Sequence, residues 1–462
     1  MFVLARINAI LFLFLHCALI CIGDSDNSKS FQVVAYNVEN LFDVDGISLY
    51  NDYKEEMYGF REFENKLDAI SQTLKKIGGK SGPDVILFQE IEVDRTPEKE
   101  LSATKELLRE LKMNGLGPYY FRLGYNPDSP SENWPAVHCL TLSKFPFTDS
   151  RLHPIEKARP ILETTISVNG HPFTLFNNHW KSGASSEKME VHRIQNAQVL
   201  RSRIDQLIEE KPNLDFLVGG DLNSHYNQST IYREEMKRTG INDILLSDEI
   251  EPIKINRGKR LYNLWFELPT AQRGSDAWRG KWGTLMHILL PGSLYDSSGI
   301  CYVTDSFQVE KIYGVNVISG MDIPFKWSNE LNGFGASDHF PVSARFHSNG
   351  KCPEKGNNFP EVENIQRSIN YKKAKESANL WVNSNLKPQN YGRSYRLSGA
   401  IVKKKPLTLK IQDRFLGLYS FDQKVRNSLY SLSEGDNFSG YGYLSRYRGQ
   451  WQFIIPHSDW ID

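Results

Sequence analysis

The sequence is short of cysteine, of net charge and of long apolar runs, and each shortage excludes something. Five cysteines among 462 residues cannot staple a disulfide-dense scaffold, and no two have the CxxC spacing of a zinc site. Lys+Arg and Asp+Glu number 55 each, so the formal net charge is zero. A uniformly basic coat for nucleic acid is excluded, and so is a strongly acidic chain, but opposite charges on separate domains can still cancel. Past the N-terminus no stretch is apolar enough to span a bilayer. Internal repeats and long low-complexity runs are missing too. What is present suffices for folding: 40% hydrophobic and 12% aromatic residues build substantial cores, at a length that suits two or three domains.

Residues 1–23 read as a secretion signal. Arg6 supplies the positive charge, and residues 7–22 are almost wholly apolar, interrupted by Asn8 and His16. Cys21 and Gly23 are small residues three and one positions before a cut ahead of Asp24. This run falls short of the roughly 20 residues a spanning helix needs, which favours cleavage over a retained anchor. Lipid attachment at Cys21 or Cys17 is a third reading, although neither follows the small residues usual in bacterial lipoproteins. The expected destination is outside the cell or the periplasm. Cleavage leaves Cys139, Cys301 and Cys352, enough for one disulfide at most, and the sequence assigns no pair.

From residue 31 to 347, strand-like and helix-like segments alternate. Strands are expected at 31–35, 85–88, 137–142, 162–168, 173–176, 216–218 and 342–346. Phe63, Leu67, Ile70, Leu74 and Ile77 repeat at helical spacing. So do Leu101, Leu108 and Leu111, and later Ile194, Ala197, Leu200, Ile204, Leu207 and Ile208. This pattern predicts one layered α/β domain over residues 24–347. Residues 348–392 are polar and read as a linker with weak helix, and residues 393–462 return to β-like sequence punctuated by Gly and Pro. Over residues 391–462 there are 11 Lys+Arg, 6 Asp+Glu and 13 aromatics, a net charge of +5 that the rest of the chain must offset.

Five polar clusters follow or precede strand-like runs. They are Asn37–Val38–Glu39–Asn40, Gln89–Glu90, Asn178–His179–Trp180–Lys181, Gly220–Asp221–Leu222–Asn223 and Ser337–Asp338–His339. Each alone is more often a turn. Together they put carboxylates, amides and two imidazoles at strand ends, where a rigid scaffold holds functional groups. Hard oxygen donors such as Glu90, Asn37 and Asp338 suit Mg²⁺, Mn²⁺ or Ca²⁺, and imidazoles touch phosphate oxygens or move protons.

NVEN, QE, NHWKS, GGDLN and SDHFP, in this order, resemble the endonuclease/exonuclease/phosphatase superfamily, whose fold is the DNase I-like four-layer α/β sandwich. The resemblance spans residues 31–347. It implies that Glu90, with Asn37 and Asp338, holds Mg²⁺ (or Mn²⁺ or Ca²⁺), with Glu39 nearby. It also implies that Asp221 and Asn223 position the attacking water, that His179 binds the scissile phosphate, and that His339 acts on the phosphate or as general acid/base. Lys181 is a candidate phosphate contact. One departure stands out: members carry an Asp that supports the histidine of SDH, and here Met286 occupies that place. A thioether accepts an imidazole N–H poorly, and His287 points to the opposite strand face. Either another acceptor serves His339, or the enzyme is slow, or it is no longer an enzyme.

The last segment resembles an OB-fold barrel through LSEGD (residues 432–436), GYGYL (residues 440–444) and YRGQWQ (residues 447–452). Such barrels lay single strands across aromatic, basic faces, which makes Tyr441, Tyr443 and Tyr447 candidate substrate contacts. Trp278, Arg279, Lys281 and Trp282 form a second aromatic–basic loop. The expected function is a secreted divalent-metal phosphodiesterase, a nuclease on DNA or RNA, acting as a monomer with no stable protein partner. A lipid or inositol phosphate diesterase is the alternative, although no apolar membrane-facing loop stands out between the motifs. A non-catalytic binder is a third reading.

Overall fold

The computed structural model describes residues 29–99, 101–249, 259–296, 298–318, 320–328, 331, 333–348 and 366–462. The secretion signal expected over residues 1–23 lies outside them. No described helix is long and apolar enough to cross a membrane.

The strands of the first domain, in chain order, are β1 (Lys29–Leu41), β2 (Val85–Glu92), β3 (Tyr120–Leu123), β4 (Val137–Ser143), β5 (Phe147–Ile155), β6 (Ala158–Val168), β7 (His171–His179) and β8 (Phe216–Asp221). They continue with β9 (Ser247–Asp248), β10 (Leu261–Asn263), β11 (Asp276–Trp278), β12 (Lys281–Gly283), β13 (Met286–Leu290), β14 (Ile300–Tyr302), β15 (Gln308–Val309) and β16 (Val342–Ser348). One sheet runs β14-β16-β1-β2-β4-β3, with β15 on β16; the other runs β5-β6-β7-β8-β13-β10-β9. Each centres on a parallel pair, β1/β2 or β7/β8, flanked by antiparallel strands.

Alternation along the strands sends one set of side chains between the sheets. Phe31, Val33, Ala35, Val85 and Leu87 from the first sheet meet Ile166, Phe173, Leu175, Leu217 and Ile288 from the second. Helices cover the outer faces. In α1 (Phe60–Gly78), Phe63, Leu67, Ile70 and Leu74 form the buried stripe that the periodicity predicts. The Gly59 amide at its start donates to Glu62 Oε2 at 3.2 Å, and Gly79 with φ +68° follows its end. α2 (Ala103–Met113) starts on Ser102, whose Oγ accepts from Lys105 N. On the other face α3 (Glu187–Glu210) packs Ala197, Leu200, Ile204 and Leu207. The result is the four-layer α/β/β/α sandwich expected.

The second domain consists of β17 (Asn379–Leu380), β18 (Ser394–Lys404), β19 (Leu407–Ile411), β20 (Arg414–Tyr419), α4 (Gln423–Ser431), β21 (Asn437–Tyr447) and β22 (Gln450–Ile454). The order β18-β19-β20-β22-β21, closed by β18 pairing β21, makes a five-stranded barrel with a helix between its third and fourth strands. That is the OB arrangement expected. Leu397, Leu409, Leu418, Leu444 and Phe453 fill its interior.

The polar segment joining the domains is less of a free tether than its composition implies. Among its described residues, the α-helix is confined to Lys372–Glu376. Trp381 is buried against Tyr395 and Phe453 of the barrel, and Ile318 and Met321 of the sandwich join the same cluster. Trp282 N donates to Arg367 O at 2.8 Å, and Ile369 N donates to Gly280 O at 2.7 Å, so the segment adds itself to the β11–β12 hairpin. Cys301 is disulfide-bonded, and Cys139 is buried and free.

Candidate active site

The two central parallel pairs end at one edge of the sandwich, and the antiparallel strands β13 and β16 begin there. This brings the polar clusters together. Asn37 and Glu39 end β1, Glu90 lies near the end of β2, and His179 and Asp221 end β7 and β8 in register. Ser337, Asp338 and His339 precede β16. Pairing between β1 and β2 breaks between Asn37 and Leu41, and between β2 and β4 it breaks between Phe88 and Ile91. There Glu39, Asn40 and Glu90 hold φ of +54°, +61° and +68°, and Asn223 holds +48°. Left-handed backbone at non-glycine residues is costly, and four such residues in the motif clusters mark where the fold spends stability on placement. Gly220, at φ +116°, has no room for a side chain: a Cβ there would lie 2.2 Å from Asn178 O.

At the centre, Asn37 Nδ2 donates to Glu90 Oε1 at 3.0 Å and to Asp221 Oδ2 at 2.9 Å. His179 Nε2 lies 3.5 Å from Glu90 Oε1 and 3.7 Å from Asp221 Oδ2. Glu90, His179 and Asp221 thus offer three ligand atoms within 4.8 Å of one another, a cluster that could hold a divalent cation. The fit is supported by chemistry: burial raises the pKa of both carboxylates, so two desolvated acids share one small space that a cation would neutralise. This grouping differs from the set Asn37, Glu90 and Asp338 read from the sequence. The Asn37 oxygen accepts from Glu39 N at 2.9 Å, so its amide nitrogen faces the acids and Asn37 holds the ligands in place. Asp338 stands at the rim, its side chain 43% exposed against 2% for Asp221. Glu39 turns away, bonded to Lys326 Nζ at 3.0 Å and to Trp327 N at 2.9 Å. Burial, reinforced by Asp338, pushes its carboxyl up to about 7.

The two histidines differ in charge. His179 is held well below its ordinary pKa by burial and then by Arg159, so it is neutral. For His339 burial acts downward, but Asp338, Asp221, Asp276 and Glu90 together outweigh it and raise the group to about 9, so it is an imidazolium at neutral pH. Ser337 Oγ donates to Asn37 O at 2.7 Å and accepts from His339 N at 3.1 Å, locking this cluster to the end of β1. Asn223 holds Asp221, its N–H donating to Asp221 Oδ1 at 2.8 Å, while its Nδ2 donates to Trp180 O at 3.1 Å. Trp180 is fully buried and Lys181 is exposed. Arg193 on α3 donates to Lys181 O and Gly183 O, which fixes the loop after His179.

Three charged groups at this edge were not singled out from the sequence. Arg159 on β6 donates to His179 O and Trp180 O. Lys66 is buried under the site, donates to Glu39 O and Ala336 O, and is pulled down to about 8 by desolvation. Asp276 on β11 is the third; a Ser–Asp pair before a tryptophan carries no periodicity that could have revealed it. Met286 stands opposite Asp221 in the β8–β13 ladder and packs in the core between the sheets. His287 faces the other way, buried and neutral, with Nε2 2.8 Å from Ser224 O.

The barrel residues do not share one surface. Tyr443 stacks on Tyr371 with its hydroxyl buried, and Tyr441 packs against Trp460 with Lys375 and Arg396 over its ring. Only Tyr447 of the three is open to solvent, at 59%. The expected absence of an apolar loop is also corrected: Ile47, Leu49, Tyr50, Met57 and Phe60, between the first two motifs, are all exposed. Their scattered spacing hid them.

Residues 141–347 match the family model described as Endonuclease/Exonuclease/phosphatase family, a span that includes His179, Asp221, Asn223, Asp338 and His339. No curated protein matches the chain. Among solved structures, TDP2 from C. elegans is 15% identical over 69% of this chain and 75% of that one, with a TM-score of 0.38. TDP2 from D. rerio, complexed with single strand DNA product, is 14% identical over 69% and 99%, at 0.41. Beta toxin from Staphylococcus aureus is 17% identical over 68% and 99%, at 0.40. Likeness at these scores says nothing of this chain's activity. With the sheet order and the strand-end cluster, the matched span makes residues 141–347 of this chain similar to the endonuclease/exonuclease/phosphatase family.

Proposed function

We propose that the protein is an exported, Mg²⁺- or Mn²⁺-dependent phosphodiesterase that cuts polynucleotides. The carrying observation is that Glu90, His179 and Asp221 converge within 4.8 Å, with His339 Nε2 3.9 Å from Asp221. When bound, a divalent cation would neutralise charge building on the phosphoryl oxygens. Asp221, steadied by Asn37 and Asn223, is suited to align a water and take its proton as the new P–O bond forms. Neutral His179 can either ligate the cation through Nε2 or donate one hydrogen bond from it to a phosphate oxygen. Charged His339 can stabilise the phosphorane charge or protonate the departing oxygen. Export is supported by the N-terminal apolar run and by the disulfide at Cys301. A polynucleotide is favoured by the net charge of +5 over residues 391–462.

The exposed Ile47, Leu49, Tyr50, Met57 and Phe60 favour a second reading, a lipid head-group diesterase whose loop meets a membrane. One assay separates the two. Mature protein is incubated with plasmid, single-stranded DNA, RNA and sphingomyelin vesicles in Mg²⁺, Mn²⁺ or Ca²⁺, beside EDTA and Asp221→Ala controls. EDTA-sensitive cleavage of the nucleic acids is expected; turnover of sphingomyelin alone would favour the lipid reading, and no turnover at all would leave a binding protein.

A further inference from the structure

His339 has no supporting acid at position 286. Its Nδ1 is buried and makes no hydrogen bond, while both nearby acids lie toward Nε2: Asp338 Oδ1 at 3.6 Å and Asp221 Oδ2 at 3.9 Å. An imidazole that must present Nε2 to a substrate needs its other nitrogen fixed, because that bond sets the ring's orientation and tautomer.

One further acid stands on the neighbouring strand, close enough for its charge to act on His339, although no hydrogen bond or ion pair joins the two. Asp276 is paired with His339 in an isolated antiparallel bridge, and Phe340 N donates to Ser275 O beside it. Residues opposed in this way project to the same face with Cβ atoms about 5 Å apart. The Asp276 side chain is itself held: Oδ1 accepts from Leu285 N at 3.2 Å and from Ser275 Oγ at 3.1 Å. The chain also makes room for it. Gly283 lies opposite Asp276 in the hairpin, and a Cβ there would come within 2.1 Å of Asp276 Oδ2. The hairpin is braced from outside by residues 367–369, through Trp282 N to Arg367 O and Ile369 N to Gly280 O.

We propose that Asp276 is the positioning carboxylate of His339, supplying from β11 the acceptor that Met286 on β13 cannot. This rests on the phosphodiesterase reading above. The hairpin, and through residues 367–369 the segment leading to the barrel, then forms part of the active-site support.

The test measures kcat and KM for bis(p-nitrophenyl) phosphate with saturating Mn²⁺ in wild type, Asp276→Asn, Met286→Asp and the double variant. Imidazole ¹⁵N spectra are recorded alongside, the His339 signals being assigned by their loss in His339→Gln. Asp276→Asn is near-isosteric, and thermal melts check that each variant folds. The expected result for Asp276→Asn is a fall in kcat on the order of 10- to 100-fold with KM unchanged. It should also shift the His339 Nδ1–H signal. Met286→Asp should restore turnover in the Asp276→Asn background and add little to wild type. Unchanged kcat in Asp276→Asn, or a loss that Met286→Asp does not rescue and that leaves the His339 signals unmoved, overturns the proposal. If wild type itself hydrolyses nothing, the phosphodiesterase reading falls and the spectra decide alone: a shifted His339 signal supports the positioning role, and an unmoved one overturns it.

Discussion

In the sandwich, Glu90, Asp221 and Asp276 are desolvated acids gathered at one edge, and burial raises the pKa of each. In the barrel, Lys403, Lys404, Lys405 and Arg448 stand in water. Two basic groups also sit over exposed rings: Arg448 lies 5.3 Å from the Tyr447 ring centre and Lys410 lies 5.9 Å from that of Phe415. A buried charge is strong because little water screens it, and for the same reason it needs a partner. An exposed charge is individually weak, and its use is in number and reach. In the proposed function, one domain acts on a charge and the other meets a charged surface.

The comparison is broken most forcefully by exchanging the lesions. Asp221→Asn should cut hydrolysis of bis(p-nitrophenyl) phosphate by at least about 10²-fold, while Lys403→Ala/Lys404→Ala/Lys405→Ala leaves it unchanged; initial rates at saturating Mn²⁺ decide. A barrel triple variant without turnover would mean the two domains do not divide the labour.

Metal should separate the domains next. A cation bound at 100 times its Kd stabilises the fold by about 2.7 kcal/mol. Calorimetry with and without Mn²⁺ should show that upward shift in Tm, and Glu90→Gln should abolish it. Acidification should weaken it, because protons compete for carboxylates whose pKa burial has raised.

A third contrast lies within the sandwich, away from the site. Glu163 bonds Arg203 and His153, and although burial acts upward, those bonds hold its carboxyl down at about 2. A depressed acid stabilises the fold above its ordinary pKa and loses that contribution as pH falls. Glu163→Gln should therefore cost about 1–2 kcal/mol at pH 7. That difference should vanish between pH 4.5 and 2; urea titrations across that window provide the check. The smallest effect belongs to the barrel: if the exposed Lys403–Lys404–Lys405 tip meets phosphates, replacing each of its lysines by alanine should flatten the salt dependence of single-strand binding by about 0.7 in log–log slope. An unchanged slope would make those lysines mere solvated surface.

Much of the sandwich could be read in advance because its elements announce themselves locally. Runs such as FQVVAY and DFLVG are apolar enough to be central strands, and each breaks into polar residues where the strand ends. The stripe Phe63, Leu67, Ile70, Leu74 is a helix by spacing alone. The β11–β12 hairpin was not legible, since three-residue strands show no period and their stability comes from residues 367–369 and His339. Nor was the fate of Tyr441 and Tyr443, which alternate with small residues as a strand should. Only the docking of Tyr371 and Trp460 decides that their rings face protein.

Sequence by itself determined the chemistry on offer: carboxylates, amides and two imidazoles at strand ends, a basic last domain, and a methionine where an acid was expected. These are properties of residue type and short-range order. Tertiary structure decided what each group does, because ligand sets and pKa values depend on distance and burial. It turned the Asn37 nitrogen toward the acids and left Asp338 at the rim. It also brought Asp276 across to His339, a pairing that no local pattern in the chain encodes.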